Sequence, residues 1–565
     1  MIKDLKIDSE TEAKKKIVVD LNKIQDGMNV TEDFFIKKKC QISWVVSRVC
    51  DHNSGKMVLK KNSKIAVCPL HGWELNLENL RYKNINIQKR KHSFEIKKNK
   101  LIVKTNKKKF FTPTNKIIEN EKVKIRYLSH ASILISYAGI NLLTDPWFFG
   151  PAFQTGWWLK RGVTLEIKEL LPLVNYIYIS HNHPDHLHLE TLSKFDKNIN
   201  IITPKFQSGS TVKLLKRAGF KNIFQCDFKK YFSIKDRSFI FTVLKSGDFR
   251  DDSGLYLQIN NKKILLNVDS NYLNSDVLPE NIDVLLTSFA GGASGFPLCF
   301  LNYSNRDKKL ILVRNKNVML ERVYRLVKLT KPKYLIPYAG HFSENAKRDF
   351  YILKNNKKNT IDEVKNLLSK KKILTKIIDV EKKDTLIIDK NKYLVQDNYQ
   401  VDKSSNIYNE NLIIENKQLI KNLDHDKIIK DYFVNSNFAS NLILTLRTCD
   451  DNFENILNNY YFDFSKNPIN YRKISNLKLD KLKKIKNNNK KYLEIYARID
   501  SLLHTIKNKL PFEDLLIGFQ LRIFREPNFY NTDFWYHFTN VYIDGAYFKF
   551  NEPCNSCEKL NQQIF

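Results

Sequence analysis

The sequence has no apolar run approaching the roughly 20 residues of a membrane-spanning helix. Its first residues, MIKDLKIDSETEAKKK, carry no apolar stretch of the secretory type, so the cytoplasm is the expected location. Eight cysteines over 565 residues are too few and too scattered for a disulfide scaffold. Arginine is also scarce. The net charge is +35, but lysine supplies most of the basic residues and is spread through every segment. Readers of nucleic acid lean on arginine for bidentate contacts, so the charge does not argue for a dedicated nucleic-acid partner. A small anionic substrate suits it as well. No internal repeat is visible, and the Gly-rich GGASG at 291–295 is not followed by the lysine of a phosphate-binding P-loop.

What is present is ample apolar residue, 42% of the chain with 12% aromatic, enough for two to four packed domains. Residues 1–110 read as a small β domain of short strands such as SWVVSRV and KIAVCPL. A polar linker is expected over 106–121. Strands then alternate with helices over 120–400, the pattern of an α/β domain. Residues 405–565 read as mostly helical with a late strand pair, a mixed α+β region. The fold class is thus multidomain, α/β and β.

Two constellations carry chemistry. In the first, Cys50-Asp-His52 and Cys68-Pro-Leu-His71 give the spacing C-x-H-x15-C-x-x-H. Each loop offers one thiolate and one imidazole, as a Rieske [2Fe–2S] centre requires: thiolates on one iron, imidazoles on the other. A zinc site could use the same residue types, but zinc fingers usually group their Cys and their His separately. In the second constellation the apolar strand YIYIS runs into His181-Asn-His183-Pro-Asp185-His186. Such an H-x-H-x-D-H loop can grip one metal through His181 and His183, and a second metal or a metal-bound water through Asp185 and His186. Those last two are the candidate catalytic pair. Asp269, after KKILLNV, is the candidate bridging carboxylate. Asp248 and His341 are candidates for the remaining ligands, and His130 and Asp145, both at strand ends, for groups that orient ligands. Cys554 and Cys557 read as free thiols, and His537 as part of an aromatic cluster.

A Rieske domain followed by a metallo-β-lactamase-like domain resembles the CMP-N-acetylneuraminic acid hydroxylase family. TDPWFFGPAFQTGWWL, YISHNHPDHLHLETL, KILLNVDS, FAGGASGFP, PYAGHF and LLIGFQLRIFREPNFYNTDFWYHF carry the resemblance across nearly the whole chain. It implies a monooxygenase that hydroxylates the N-acetyl methyl of CMP-N-acetylneuraminate, or of a related CMP-nonulosonic acid. It implies O2 as co-substrate and electrons from NAD(P)H through a reductase and cytochrome b5 or a ferredoxin. It also implies a second metal, iron or zinc, held by His181, His183, Asp185, His186 and Asp269. Two positions depart from the family: Asp248 stands where the animal enzymes have a His, and His341 where they have a Tyr. The competing readings are a hydrolase of the phosphodiesterase or lactonase type with a redox-sensing Rieske domain, and a simple electron carrier. Lys160, Arg161, Arg522, Arg525 and the GGASG turn are candidates for holding the substrate's phosphate and carboxylate.

Overall fold

The computed structural model describes residues 2–5, 10–50, 56–61, 63–68, 73–83, 88–247, 250–397, 408–475, 490–528 and 530–544. His52, His71, Asp248, Cys554 and Cys557 lie outside them.

The N-terminal region is built from short antiparallel strands. Gly27–Val30, Phe34–Lys39 and Gln41–Ser47 form one sheet, and Val58–Leu59, Ile65–Val67, Glu74–Asn76 and Arg81–Tyr82 another. A third pairs Lys100–Phe110 with both Phe94–Lys97 and Glu10–Asp20, so strand continues into the stretch expected as a linker. The short strand Lys3–Asp4 joins Phe232–Ile234 of the following region.

Two eight-stranded sheets face each other in the central region. In one, Ile140–Thr144, Tyr176–Tyr178, Asn200–Pro204 and Ile223–Cys226 run parallel. In the other, Lys262–Leu266, Val284–Thr287 and Tyr334–Pro337 do. The alternation of side chains along Ser132–Tyr137 sorts the layers. Ile133, Ile135 and Tyr137 enter the core between the sheets with Phe241, Leu257 and Leu285. Leu134 points the other way, to a second core with Leu143, Ile177 and Leu215. Helix Asn305–Thr330 packs on Val284–Thr287, and helix Ser210–Arg217 on Ile223–Cys226, which completes the αββα layering. Parallel strands that end on the same edge bring their following loops together, and that edge carries the site.

The C-terminal region differs from its sequence reading. It holds a five-stranded mixed sheet, with Leu442–Cys449 and Lys491–Arg498 parallel at its centre and Leu521–Glu526 alongside. Against Ile, Thr and Tyr, which favour a strand, the four Leu and the single Lys, Glu and Ala of LILTLRTC and KYLEIYAR favour a helix in isolation. Pairing and burial on both faces override that preference. The sheet and its helices share one aromatic-rich core with Trp147, Phe153, Trp157 and Phe300 of the central region. His537 lies in this core against Phe438 and bonds through Nε2 to the Ser436 carbonyl at 2.9 Å. At the seam the backbones touch: a Cβ on Gly156 would fall 2.1 Å from the Gly518 carbonyl oxygen, so no larger residue fits there.

Candidate metal centre and the buried cysteine pair

The loop after Tyr176–Tyr178 delivers its four polar side chains to one buried cluster. His181 Nε2 and His183 Nδ1 lie 2.9 Å apart, both aimed at the same space. His186 Nε2 faces Asp185 Oδ2 at 3.2 Å and Asp269 Oδ2 at 3.4 Å. His130 Nε2 meets Asp185 Oδ2 at 3.1 Å. Three overlapping groups, His181–His183–Asp185, His181–His186–Asp269 and His130–Asp185–His186, each have ligand atoms within 4.8 Å of one another.

Asp145 organises the loop. One of its carboxylate oxygens accepts the Ser180 N–H at 2.8 Å; the other meets the Ser180 hydroxyl at 2.7 Å and His186 Nδ1 at 3.0 Å. That bond puts the proton on Nδ1 and turns Nε2 toward the cluster, the carboxylate–histidine arrangement that orients metal ligands. His130 and Asp145 both have positive φ, 32° and 39°, at the ends of their strands. The chain turns sharply there and points both side chains inward.

The electrostatics call for a cation. Burial alone would lower the His186 pKa, but the carboxylates of Asp185, Asp269 and Asp145 outweigh it and hold the pKa well above the usual histidine value. Burial would raise the Asp185 pKa, yet His186 and His130 keep it well below the normal range. His181 is pushed well down by burial and then by His186 and His183. Three carboxylates thus crowd one imidazole, and a bound cation would offset their charge. His186 Nε2, Asp185 Oδ1 and His130 Nδ1 are buried with no hydrogen-bond partner among the described residues. Unpaired polar atoms are costly in a protein interior, and a bound cation would satisfy the ligand-facing ones. The donor set therefore fits a metal.

His341 stands outside these groups. Its Nδ1 lies 3.5 Å from Glu381, its ring packs on Tyr127 and Phe289, and its carbonyl accepts the Lys160 N–H. The strand-end rule that selected it applies equally to His130, whose loop approaches Asp185. His188 caps the short helix Leu189–Leu192 through Thr191. One residue escaped the sequence reading. Asp252 is buried, with Oδ1 3.7 Å from His181 Nε2. It immediately precedes the buried strand Ser253–Ile259, and that position was its only signal.

The C-terminal region reaches the same place. Asp514 is buried and held well above the usual carboxyl pKa by burial, then by the charges of Glu513 and Asp185. Phe153, whose carbonyl abuts Gly518, packs its ring on His183 at 5.8 Å.

In the N-terminal region Cys50 and Cys68 are both buried in one small core with Trp44, Met57, Trp73 and Tyr82. The Tyr82 hydroxyl lies 3.9 Å from Cys50 Sγ. Cys68 is close enough to the Tyr272 phenol to raise its pKa, after burial, which is the larger cause. Tyr272 sits three residues beyond Asp269, a reach of at most ~11 Å of chain. Arg325 stacks on its ring with the guanidinium 4.9 Å from the centroid. The loop that carries Asp269 thus also carries Tyr272, whose phenol feels the charge of Cys68.

Residues 124–339 match the model of a β-lactamase superfamily domain. Among solved structures, the chain is similar to the metallo hydrolase Igni18 from Ignicoccus hospitalis, at 14% identity over 47% of this chain and 98% of that one, with a TM-score of 0.33. It is also similar to CmlA, a diiron β-hydroxylase from Streptomyces venezuelae, at 15% identity over 50% of this chain and 55% of that one, with a TM-score of 0.29. Relatives in sequence cover much more. Cytidine monophosphate-N-acetylneuraminic acid hydroxylase of Xenopus laevis is 27% identical across 94% of this chain and 92% of that protein. The Pan troglodytes protein of the same name is 30% identical across 74% and 72%. A human relative, described as inactive, is 30% identical across 74% and 84%. With a relative at that identity matched over more than two thirds of its length, the chain belongs to the cytidine monophosphate-N-acetylneuraminic acid hydroxylase family.

Proposed function

We propose that this protein is a monooxygenase that hydroxylates the N-acetyl methyl of CMP-N-acetylneuraminate or a closely related CMP-linked sugar acid. The observation that carries the reading is the pairing of two constellations in a chain aligned nearly end to end with hydroxylases. One is a buried His/Asp cluster with orphaned ligand atoms; the other is a buried cysteine pair in a separate β region. Cys50, His52, Cys68 and His71 would hold a Rieske [2Fe–2S] cluster, which supplies one-electron transfer at a potential raised by its neutral imidazole ligands. His181, His183, Asp185, His186 and Asp269 would hold the second metal, proposed to be iron; Asp248 is a further ligand candidate. His and carboxylate donors suit non-haem iron as well as zinc.

The chain's own residues set the conditions for that chemistry. Asp145 fixes the His186 tautomer, and His130 holds Asp185 in one orientation. Asp185 and His186, the candidate catalytic pair, offer a carboxylate and an imidazole beside the reacting group. Trp147, Phe153 and Trp157 pack around the loop and exclude water from it. Reducing equivalents would come from NAD(P)H by way of a reductase and cytochrome b5 or a ferredoxin, with O2 as the oxidant.

A hydrolase would use the same central fold, but hydrolysis has no use for a redox cluster, and fold alone does not fix function. Metal analysis separates the two. Protein purified anaerobically is expected to hold iron beyond the two atoms of the cluster and to give a Rieske-type EPR signal on reduction. Cys68→Ser should remove that signal. Zinc in the second site, or an unchanged signal in Cys68→Ser, would count against the reading.

A further inference from the structure

The cations expected to hold the substrate's anionic groups are engaged within the protein. Lys160 reaches Glu381 at 2.7 Å, and Arg161 donates to the Val380 carbonyl. Arg522 donates to the carbonyls of Leu521 at 2.8 Å and Phe519 at 3.1 Å, and stacks on Phe453. Arg525 is held by Asn528 at 2.9 Å. Lysines without a carboxylate partner lie elsewhere, at one edge of the central region.

Both eight-stranded sheets end there. Lys376–Ile377 is the last strand of one, beside Tyr334–Pro337, and Lys392–Gln396 is the last strand of the other. Tyr334 and Tyr393 stack from one sheet to the other, with ring centroids 5.1 Å apart. The end of helix Asn305–Thr330 and the turn from helix Ile361–Lys370 into Lys376–Ile377 complete an open groove of about 660 Å³ around this pair. Two lysines of its wall are paired, Lys331 with Glu280 at 3.1 Å and Lys333 with Asp283 at 2.9 Å. Lys372 and Lys376 also line it; they are exposed and form no ion pair among the described residues. Between them Leu374 is 96% exposed. Lysines at a sheet edge guard it against pairing with another strand, but that guard has no use for a bared leucine at its centre. An apolar centre with a charged rim is the anatomy of a docking surface.

The groove adjoins the N-terminal region. Lys328, in its wall, bonds to Glu32. Glu32 follows Thr31, whose carbonyl accepts Arg48 Nη1 at 2.8 Å, and Arg48 Nε donates to the Met57 carbonyl at 3.1 Å. Met57 lies in the core that holds Cys50 and Cys68. A line of direct contacts thus joins the rim of the groove to the cysteine pair. We propose that the groove docks an acidic redox protein, which passes electrons to the N-terminal region. Carboxylates of the partner meet Lys372 and Lys376, and an apolar side chain covers Leu374. The inference rests on the reading of the protein as a monooxygenase fed by an external donor. Each encounter oxidises the donor by one electron. Hydroxylation with O2 takes up two electrons and two protons and releases water, so two encounters serve one turnover.

Calorimetric titration of the whole protein with two oxidised acidic probes, the soluble domain of cytochrome b5 and a plant-type ferredoxin, tests this without turnover. At least one should bind, and less tightly as salt shortens the Debye length from about 30 Å at 0.01 M to about 8 Å at 0.15 M. For that probe, Lys372→Glu with Lys376→Glu should weaken binding roughly 10-fold or more at low salt and flatten the salt dependence. Leu374 has almost no packing to lose, so Leu374→Asp keeps the fold and should weaken binding several-fold. The same change of net charge in Lys216→Glu with Lys221→Glu, beside the opposite edge strand Ile223–Cys226, should leave binding nearly unchanged. Dithionite, a small reductant that needs no docking, should reduce every variant as fully as wild type. Unchanged binding in both groove variants, or equal weakening by the Lys216 and Lys221 pair, overturns the inference. So does wild-type protein that dithionite reduces but that binds neither probe. Wild-type protein with no centre that dithionite reduces overturns instead the reading on which the inference rests.

Discussion

His186→Ala protein is expected to lose the second metal and, with it, product formation by at least roughly 100-fold. The magnitude follows from outer contacts: removing a group that merely orients a metal ligand costs about 10- to 100-fold. His186 does more than orient. Its Nε2 faces Asp185 and Asp269 together, in the place where one cation would be shared among the three. Without it, the site lacks one ligand atom, and Asp145 loses its partner at 3.0 Å. Asp145→Asn makes a graded comparison, since it keeps the ligand and removes only its orientation; its loss should fall between wild type and His186→Ala. The Rieske-type signal should persist in both variants, because Cys50 and Cys68 pack in a core of their own. Metal content, visible absorption and turnover read the three expectations separately. Full occupancy of the second site in His186→Ala would remove this residue from the ligand set.

The second large effect lies at the seam. Arg498→Ala is expected to destabilise the protein by about 3–5 kcal/mol, the cost of leaving a buried charge without its partner. Arg498 is 1% exposed, and its Nη1 lies 2.6 Å from Asp349 Oδ1. It also donates to the carbonyls of Arg348 at 2.6 Å and Asp451 at 2.8 Å. Arg348 in turn reaches Asp500 at 2.8 Å, Asp451 at 3.0 Å and Thr155 at 2.7 Å. Arg348, Asp349 and Thr155 belong to the central region; Arg498, Asp500 and Asp451 belong to the C-terminal one. The network therefore pins the two regions to each other, next to the Gly156–Gly518 contact. Urea unfolding should show the midpoint of Arg498→Ala shifted down. Arg498→Met with Asp349→Leu should recover much of the loss, because a packed apolar pair replaces an ion pair well. A shift below about 1 kcal/mol in the single variant, the range of exposed pairs, would mean that the network does not hold the seam.

The His/Asp loop was legible because its signal is local: four ligand-type side chains in six residues after a buried strand. Asp269, His130 and Asp145 were legible by the weaker rule that polar residues at strand ends gather on one edge of a sheet. The same rule failed for His341, because it does not say which strand ends face which way. There the chain bonds Ala339 N–H to the His130 carbonyl and sends the His341 side chain toward Glu381. Asp252 was missed for the converse reason, since it enters a strand where the rule looks at residues that leave one. In the C-terminal region the error was in the element. Arg522 and Arg525, near neighbours in the sequence, fall on opposite faces of a strand.

Insertion of oxygen into a CMP-linked sugar acid can be followed atom by atom. Its most direct measurement is mass spectrometry of the product formed from CMP-N-acetylneuraminate under isotopically heavy O2, with NADH, reductase and electron donor present. A product one oxygen atom heavier than the substrate is expected, with that atom drawn from O2 and lying on the former N-acetyl methyl. Release of CMP and free sugar acid with no uptake of O2 would contradict it.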